Sequence, residues 1–467
     1  MTRRSDFPSD FAWGTATASY QIEGGVADDG RTPSIWDTFT HTPGTVSDGN
    51  VGDVADDSYH LWRDDIAVMR ELGVNAYRFS ISWSRLVTPD GELNPAGVEY
   101  YRTLAAELND RGITPWATLY HWDLPQYLED ADGWLNRATV DAFVHYVELA
   151  VQSLGDVIDH WITLNEPWCS AFLGYASGHH APGRHVGSQA AHAAHHLLLG
   201  HGRGVAVIRR LQPEASVGIT LNLYSVRAAS DSDADRDAAR RADGLQNRLF
   251  LEPVLTGRYP ADVLADLGEE AWFGERTEDL AEIAQPIDFL GINYYSRHTA
   301  AAGERDADTS ATPSANPGSE FVRFIDTGAT KTQMGWEIHP DGLIDVLEQA
   351  HAYAPELPLY ITENGSAWPD VVQPDGRVDD PERQEYLEQH VAACAAAIGR
   401  GLPLRGYFIW TLIDNFEWAW GFSRRFGLAY VDYATQRRTV KSSGTWLAGF
   451  LSGALEAPDG VPAQAAR

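Results

Sequence analysis

Two carboxylates in this chain stand at the ends of short apolar runs, each followed by a residue that breaks a strand. His160-Trp-Ile-Thr-Leu-Asn165-Glu166-Pro167-Trp168 is mostly β-branched or aromatic, then stops at a polar pair and a proline. Pro167 has no N–H to give to a sheet, so the strand must end near Glu166. Leu357-Pro-Leu-Tyr-Ile-Thr-Glu363-Asn364-Gly365 repeats the pattern with a carboxylate, an amide and a glycine. Runs of this kind suit strands buried on both faces. In a (β/α)8 barrel the C-terminal ends of such strands share one mouth. Two carboxyl groups facing each other there have the equipment to cleave a glycosidic bond. Taken singly, either glutamate serves equally well as a solvated loop acid or half of a structural ion pair. The matching contexts give the pair its weight.

Other strand ends carry polar and aromatic groups of one kind. Gln21 follows the first, Arg78 lies in the second, and His121-Trp122 close the third. Asn222 ends the fifth, Asn293 and Tyr295 the sixth, and Trp410 the eighth, with Glu417-Trp418 just beyond. A sugar presents a rim of hydroxyls, each both donor and acceptor, around an apolar face. A site for it needs amides, imidazole and carboxylate at the rim and an indole against the face.

The elements that must position these groups are legible as alternating strands and helices, which predicts βα units and a parallel sheet. The strand candidates are Phe11–Ser19, Ala76–Trp83, Thr114–His121, Trp161–Glu166, Ser216–Leu223, Phe289–Tyr295, Leu359–Glu363 and Gly406–Leu412. Between them Asp56–Leu72, Pro95–Arg111, Ala138–Leu154, Gln189–Leu211 and Asp380–Gly399 read as helices. In Pro95–Arg111 the residues Val98, Tyr101, Leu104, Ala105 and Leu108 form one apolar face, with Glu107 and Asp110 outside. Pro95 at its start and Gly112 past its end are the expected caps. Eight such strands imply one closed (β/α)8 barrel, with no interdomain linker, over residues 1–467. Its core runs over roughly residues 7–455, and 456–467 read as a flexible tail. Asp28–Asp53 and Thr299–Glu320 look irregular and, following strands, should overhang the mouth.

Composition excludes several classes. The net charge of −31 and the pI near 4.7 repel phosphate backbones and anionic membranes, so neither nucleic acid nor membrane is an expected partner. The only cysteines, Cys169 and Cys394, offer neither a disulfide framework nor a zinc site. No apolar run reaches membrane length, and none follows the N-terminal arginines, so a cytoplasmic protein is expected. His192, His195 and His196 share a helical face without an acidic ligand and read as part of a solvated or core-flanking helix. Gly200-His-Gly-Arg-Gly204 lacks the strand that a dinucleotide fingerprint needs. Asn364-Gly-Ser366 is a glycosylation sequon beside Glu363, where a glycan would block the mouth. Trp62 and Trp161 read as core.

The blocks Phe11-Ala-Trp-Gly-Thr-Ala-Thr-Ala-Ser-Tyr-Gln21, Thr163-Leu-Asn-Glu-Pro167, Ile361-Thr-Glu-Asn-Gly365, Asp414-Asn-Phe-Glu-Trp-Ala-Trp-Gly421 and Arg425-Phe-Gly-Leu-Ala-Tyr-Val-Asp432 occur in that order. With them the chain closely resembles family 1 glycoside hydrolases, the β-glucosidase family, over nearly its whole length. The resemblance implies that Glu166 is the general acid/base and Glu363 the nucleophile. It implies that Gln21, His121, Trp122, Asn165, Glu417 and Trp418 hold the glycone, with Trp410 beneath the ring. Arg78, Asn293 and Tyr295 match positions around the nucleophile, and Trp168, Asn222 and Trp336 match the aglycone side. Expected substrates are β-glucosides, with β-galactosides and β-fucosides beside them, and short oligosaccharides such as those of cellulose degradation, cellobiose for one. No cofactor or metal is implied, and self-association is left open. A thioglucosidase would carry Gln in place of Glu166. Two alternatives stand: a 6-phospho-β-glycosidase, which Glu417 should repel, and a sugar-binding barrel without turnover, which should have lost a carboxylate.

Retention of configuration requires the two carboxyl groups to lie roughly 5–5.5 Å apart. A neighbouring Arg78 would favour ionised Glu363, whose charge would in turn raise the pKa of Glu166.

Overall fold

The computed structural model describes residues 2–304 and 314–456. Its centre is a closed barrel of eight parallel strands: β1 (Ala12–Ala16), β2 (Ala76–Ser80), β3 (Thr114–Thr118), β4 (His160–Asn165), β5 (Ser216–Asn222), β6 (Phe289–Asn293), β7 (Leu359–Asn364) and β8 (Leu404–Trp410). Each strand pairs with its neighbours in sequence, and β1 closes on β8 with Ala12 opposite Gly406 and Ala16 opposite Trp410. The main helices after successive strands are α1 (Ser58–Leu72), α2 (Pro95–Asp110), α3 (Ala138–Leu154), α4 (Ala190–Leu211), α5 (Leu249–Thr256), α6 (Pro340–Tyr353), α7 (Pro381–Gly399) and α8 (Ser442–Leu451). Rings of Trp116, Phe289, Tyr360 and Phe408 pack together in the strand layer, with centroids 4.9–5.3 Å from that of Trp116.

All eight predicted strands are present, and the differences lie at their ends. After β1 the chain turns: Thr17 N–H donates to Arg78 C=O, Ser19 N–H donates to Ser80 Oγ at 2.7 Å, and Ser19–Ile22 forms one helical turn. A similar turn, Trp83–Leu86, follows β2. Ala18 and Trp83 are apolar and buried outside the strands they follow, which is why the predicted strands run too long there. Helix α2 matches its prediction closely. Asn94 caps it by accepting from Ala96 N–H, Pro95 sits in its first turn, and Gly112 takes a φ of +71° just past the end. Tyr101, Leu104, Ala105 and Leu108 are buried.

Of the segments expected to be irregular, Asp28–Asp53 contains a helix, Ile35–Thr40, capped reciprocally by Ser34 and Asp37. Thr299–Glu320 begins inside a strand, Arg297–Ala302, which joins Ser225–Ala228 and Val322–Phe324 in a small outer sheet. The rest of that segment over 305–313, and the tail over 457–467, lie outside the described residues. Among the described residues no helix is long and apolar enough to cross a membrane.

A buried charge network fixes the loops after β7 and β8. Lys441, at the start of α8, reaches Asp370 and Asp414 at 2.6 Å each. Arg383 of α7 pairs with Asp370 at 2.8 Å and with Asp380, and Arg425 pairs with Asp414 at 2.6 Å. Removing one member of such a network leaves an uncompensated charge in a low dielectric. Lys441→Met is therefore expected to cost about 3–5 kcal/mol of stability, read from its denaturant midpoint. It is also expected to raise KM, because Glu417 lies three residues beyond Asp414.

Candidate active site

The strand ends converge on a cavity of about 170 Å³. Glu166, Glu363, His121, Trp122, Asn293, Tyr295, Trp410, Glu417 and Trp418 all line it, as do Trp168, Asn222 and Trp336. Gln21, Asn165 and Arg78 are fully buried and stand one layer behind this wall.

Glu166 sits directly after β4 in the left-handed region, φ +45°, with its N–H bonded to Thr220 C=O at 2.9 Å. Trp122 and Trp418 share that backbone region, at φ +74° and +48°. For residues with a Cβ this conformation is strained by roughly 1–2 kcal/mol. Here it turns side chains off the strand direction and into the cavity. At the end of β7, Gly365 is required by contact: a Cβ there would lie 1.7 Å from the carbonyl oxygen of Trp410.

Arg78 organises the layer behind. Its guanidinium donates to Glu363 Oε1 at 2.5 Å and to Asn165 Oδ1 at 2.6 Å. Tyr295 donates to the other oxygen of Glu363 at 2.7 Å. Asn293 Nδ2 donates to Glu166 Oε1 at 2.5 Å and to Asn165 Oδ1 at 3.0 Å. With its Oδ1 taken by two donors, Asn165 must present Nδ2 to His121 Nε2, at 2.9 Å. That makes Nε2 the acceptor and leaves Nδ1–H of His121 as a buried donor without a partner. Burial, then the Arg78 charge, holds this imidazole well below its usual pKa, so it is neutral. Gln21 donates to Phe416 C=O at 2.9 Å and to Glu417 at 3.4 Å, leaving its buried Oε1 unpartnered. Unpartnered buried donors and acceptors around one cavity suit a ligand with hydroxyls.

The carboxyls differ in their surroundings. Burial pushes Glu166 up to about 8, with the Glu363 charge as the second cause. Burial also raises Glu363, but Arg78, Tyr295 and Asn293 oppose that rise, so it is the member of the pair that ionises first. The expected effect of Arg78 is thus present, although burial outweighs it. Glu417 is pushed to about 8 by burial, then by the Glu363 and Glu166 charges. No lysine or arginine among the described residues pairs with it, and none lines the cavity.

Several lining residues escaped the sequence reading. Cys169 stands three residues after Glu166, a helical spacing that could have revealed it. Trp420 and Phe426 lie within quoted motif blocks, and Leu173 lies in the same helical segment as Cys169, whereas His180, Tyr224 and Met334 come from loops without periodic signal. The histidines of α4 are occupied separately, His192 by Glu269, His195 by Asp279 and Tyr259, and His196 by Trp134 C=O. Asn364 of the sequon is buried and bonded to Tyr294 C=O, Tyr386 and Tyr407. Trp62 and Trp161 are core, and both cysteines are free and buried.

A closed (β/α)8 barrel with two carboxyls of unlike environment at its mouth defines the class of the glycoside-cleaving barrels. The sequence profile of glycosyl hydrolase family 1 matches residues 3–453, and the chain belongs to that family. It is 46% identical over 458 residues to a bifunctional β-D-glucosidase/β-D-fucosidase of Bifidobacterium breve, covering 96% of this chain and 98% of that one. It superposes on the psychrophilic β-glucosidase of Micrococcus antarcticus with a TM-score of 0.91 at 45% identity, covering 97% and 99% of the two chains. A β-glucosidase of Thermotoga maritima in complex with isofagomine lactam gives 0.90 at 44% identity, covering 96% and 98%.

The electrostatics set a pH profile. If Glu166 acts in its protonated form, kcat/KM should fall as pH rises through its folded pKa, above about pH 8, with Glu417 titrating in the same range. If Glu363 acts as a carboxylate, Arg78→Met, which removes its cation, should move the acid limb upward. It should also lower kcat/KM by about a hundredfold or more. Both limbs are read from initial rates on an aryl glycoside.

Proposed function

We propose that this chain is a retaining β-glucosidase in which Glu363 is the nucleophile and Glu166 the acid/base. The observation that carries the roles is the unlike company of the two carboxyls: Glu363 is held by Arg78 and Tyr295, whereas burial beside Glu363 lifts Glu166 to about 8. In the first step Glu363 attacks the anomeric carbon while the Glu166 proton passes to the departing oxygen. Esterification removes the Glu363 charge and so lowers the pKa of Glu166, which stays ionised after giving up its proton and can act as a base. In the second step it takes a proton from that water, whose oxygen displaces Glu363.

The glycone hydroxyls are assigned to His121, Trp122, Glu417 and Trp418 and to the unpartnered Oε1 of Gln21, with Asn165 holding His121 from behind, Trp410 against the ring and Asn293 and Tyr295 bordering the nucleophile. Trp168, Asn222 and Trp336 border the aglycone. Substrates are aryl and alkyl β-glucosides and short oligosaccharides such as cellobiose. The name of the Bifidobacterium breve relative supports β-fucosides as a second glycone.

Two variants test the roles. Glu363→Ala should lose hydrolysis by several orders of magnitude yet build β-linked products from an α-glucosyl fluoride. Glu166→Ala should fail most on poor leaving groups, and azide should rescue activated substrates as the β-glucosyl azide. Near-normal hydrolysis by the first, or an α-azide from the second, contradicts the mechanism.

A 6-phosphate brings between one and two negative charges, and among the described residues the cavity wall offers it no lysine or arginine. Like-charge repulsion by Glu417 is weaker than the sequence implied, because a carboxyl lifted to about 8 is largely protonated at neutral pH. Wild type should turn over an aryl β-glucoside and leave its 6-phosphate untouched. Glu417→Ser should lower kcat/KM on the glucoside and narrow the gap between the two. Preference of the wild type for the phosphorylated substrate would contradict this reading of the pocket.

A further inference from the structure

The two oxygens of Glu166 have different neighbours. Oε1 accepts from the amide of Asn293 at 2.5 Å, and an amide NH2 group can only donate. The proton of the acid form therefore belongs on Oε2. That oxygen faces the thiol of Cys169, with Sγ at 3.1 Å. The chain's own turn puts it there: Pro167 ends the strand, and Cys169 N–H donates to Glu166 C=O at 2.9 Å as the wide helical segment Cys169–Ala176 begins. From the end of β5, Asn222 Nδ2 approaches Sγ at 3.8 Å, which occupies an acceptor side of the sulfur and leaves S–H directed at Glu166. Cys169 is buried in the cavity wall, and burial pushes its thiol well up, so it keeps its proton.

We propose that Cys169 is a positioning residue for the acid/base: its thiol is the reversible partner of the proton-bearing oxygen of Glu166. A thiol is both a weak donor and a weak acceptor. Before cleavage the carboxylic acid at Oε2 has the sulfur beside it as an acceptor. As the glycosidic C–O bond breaks, the Oε2 proton goes to the leaving oxygen, and the thiol, keeping its own hydrogen, turns to donate to the new carboxylate. When water attacks the anomeric carbon, its proton returns to Oε2 and the thiol turns back. A weak partner suits this exchange, since a strong donor would hold Glu166 in one state. This inference rests on the assignment of Glu166 as acid/base.

The groups facing Glu166 from the surrounding elements are Arg78 from β2, Tyr224 beyond β5, Asn293 and Tyr295 at the end of β6, Glu363 from β7 and Glu417 beyond β8. Glu417 titrates in the same range, so the measurement must cancel it. The ratio of kcat/KM for an alkyl β-glucoside to that for a dinitrophenyl β-glucoside does so, because only the alkyl leaving group needs the acid. Loss of a donor to the carboxylate raises its pKa. The alkaline limb of this ratio should therefore move up by about half a pH unit or more in Cys169→Ala. Cys169→Val, which fills the volume, should move it the same way, and Cys169→Ser should return it to or below the wild-type position. Thermal melting of each variant is recorded alongside, and the Val and Ser variants decide if Ala does not fold. A limb that stays at the wild-type pH in the Ala and Val variants overturns the role of Cys169. An absent limb in wild type, or near-normal alkyl glucoside turnover by Glu166→Ala, would instead overturn the assignment of Glu166 itself.

Discussion

The site depends on one buried cation. Arg78 is fully enclosed, with no exposed surface, and its guanidinium bridges Glu363 and Asn165. Three carboxyls, those of Glu166, Glu363 and Glu417, surround a cavity whose wall, among the described residues, holds no lysine or arginine. One cation behind that wall can support one carboxylate. It supports the one it touches, and burial keeps protons on the other two up to about pH 8. The proposed nucleophile and acid are identical side chains that differ by environment alone. The same guanidinium reaches further through Asn165, whose Oδ1 it shares with Asn293, and whose Nδ2 sets the tautomer of His121.

The barrel provides the strained places this arrangement needs. Glu166, Trp122 and Trp418 hold left-handed backbone conformations, and Gly365 lets β7 approach the carbonyl of Trp410 without a side chain between them. Such positions persist only where their surroundings over-determine them. Here the bonds from Thr220, Arg78, Asn293 and Gln21 do so at the mouth. The buried network of Lys441, Asp370, Asp414, Arg383 and Arg425 does so beneath the loops.

Much of this was legible in the residues. Strand existence followed from apolar runs that stop at breakers, and the two glutamates followed from those same stops. The ends of β1 and β2 were misjudged because Ala18 and Trp83 are apolar and buried just past the paired residues, which composition cannot separate from strand. The site's wall was legible where strand ends supply it, as with Asn293 or Trp410. It was not legible where loops do, as with His180 and Met334, because loop paths carry no period. The sequence suggested that Glu417 would be a repelling anion, whereas its lifted pKa depends on burial and on two neighbours distant in sequence. The acidic partners of His192 and His195 were hidden for a similar reason: Glu269 and Asp279 lie more than one element away.

The claim on which the rest turns is that Glu363 alone is kept ionised and forms the bond to the sugar. It is tested most directly by inactivating the enzyme with an activated 2-deoxy-2-fluoro-β-glucoside, whose covalent intermediate is long-lived, and mapping the modified peptide by mass spectrometry. The account predicts a single sugar ester, carried by Glu363. An ester on Glu166 or Glu417, or turnover without any ester on the protein, would contradict it.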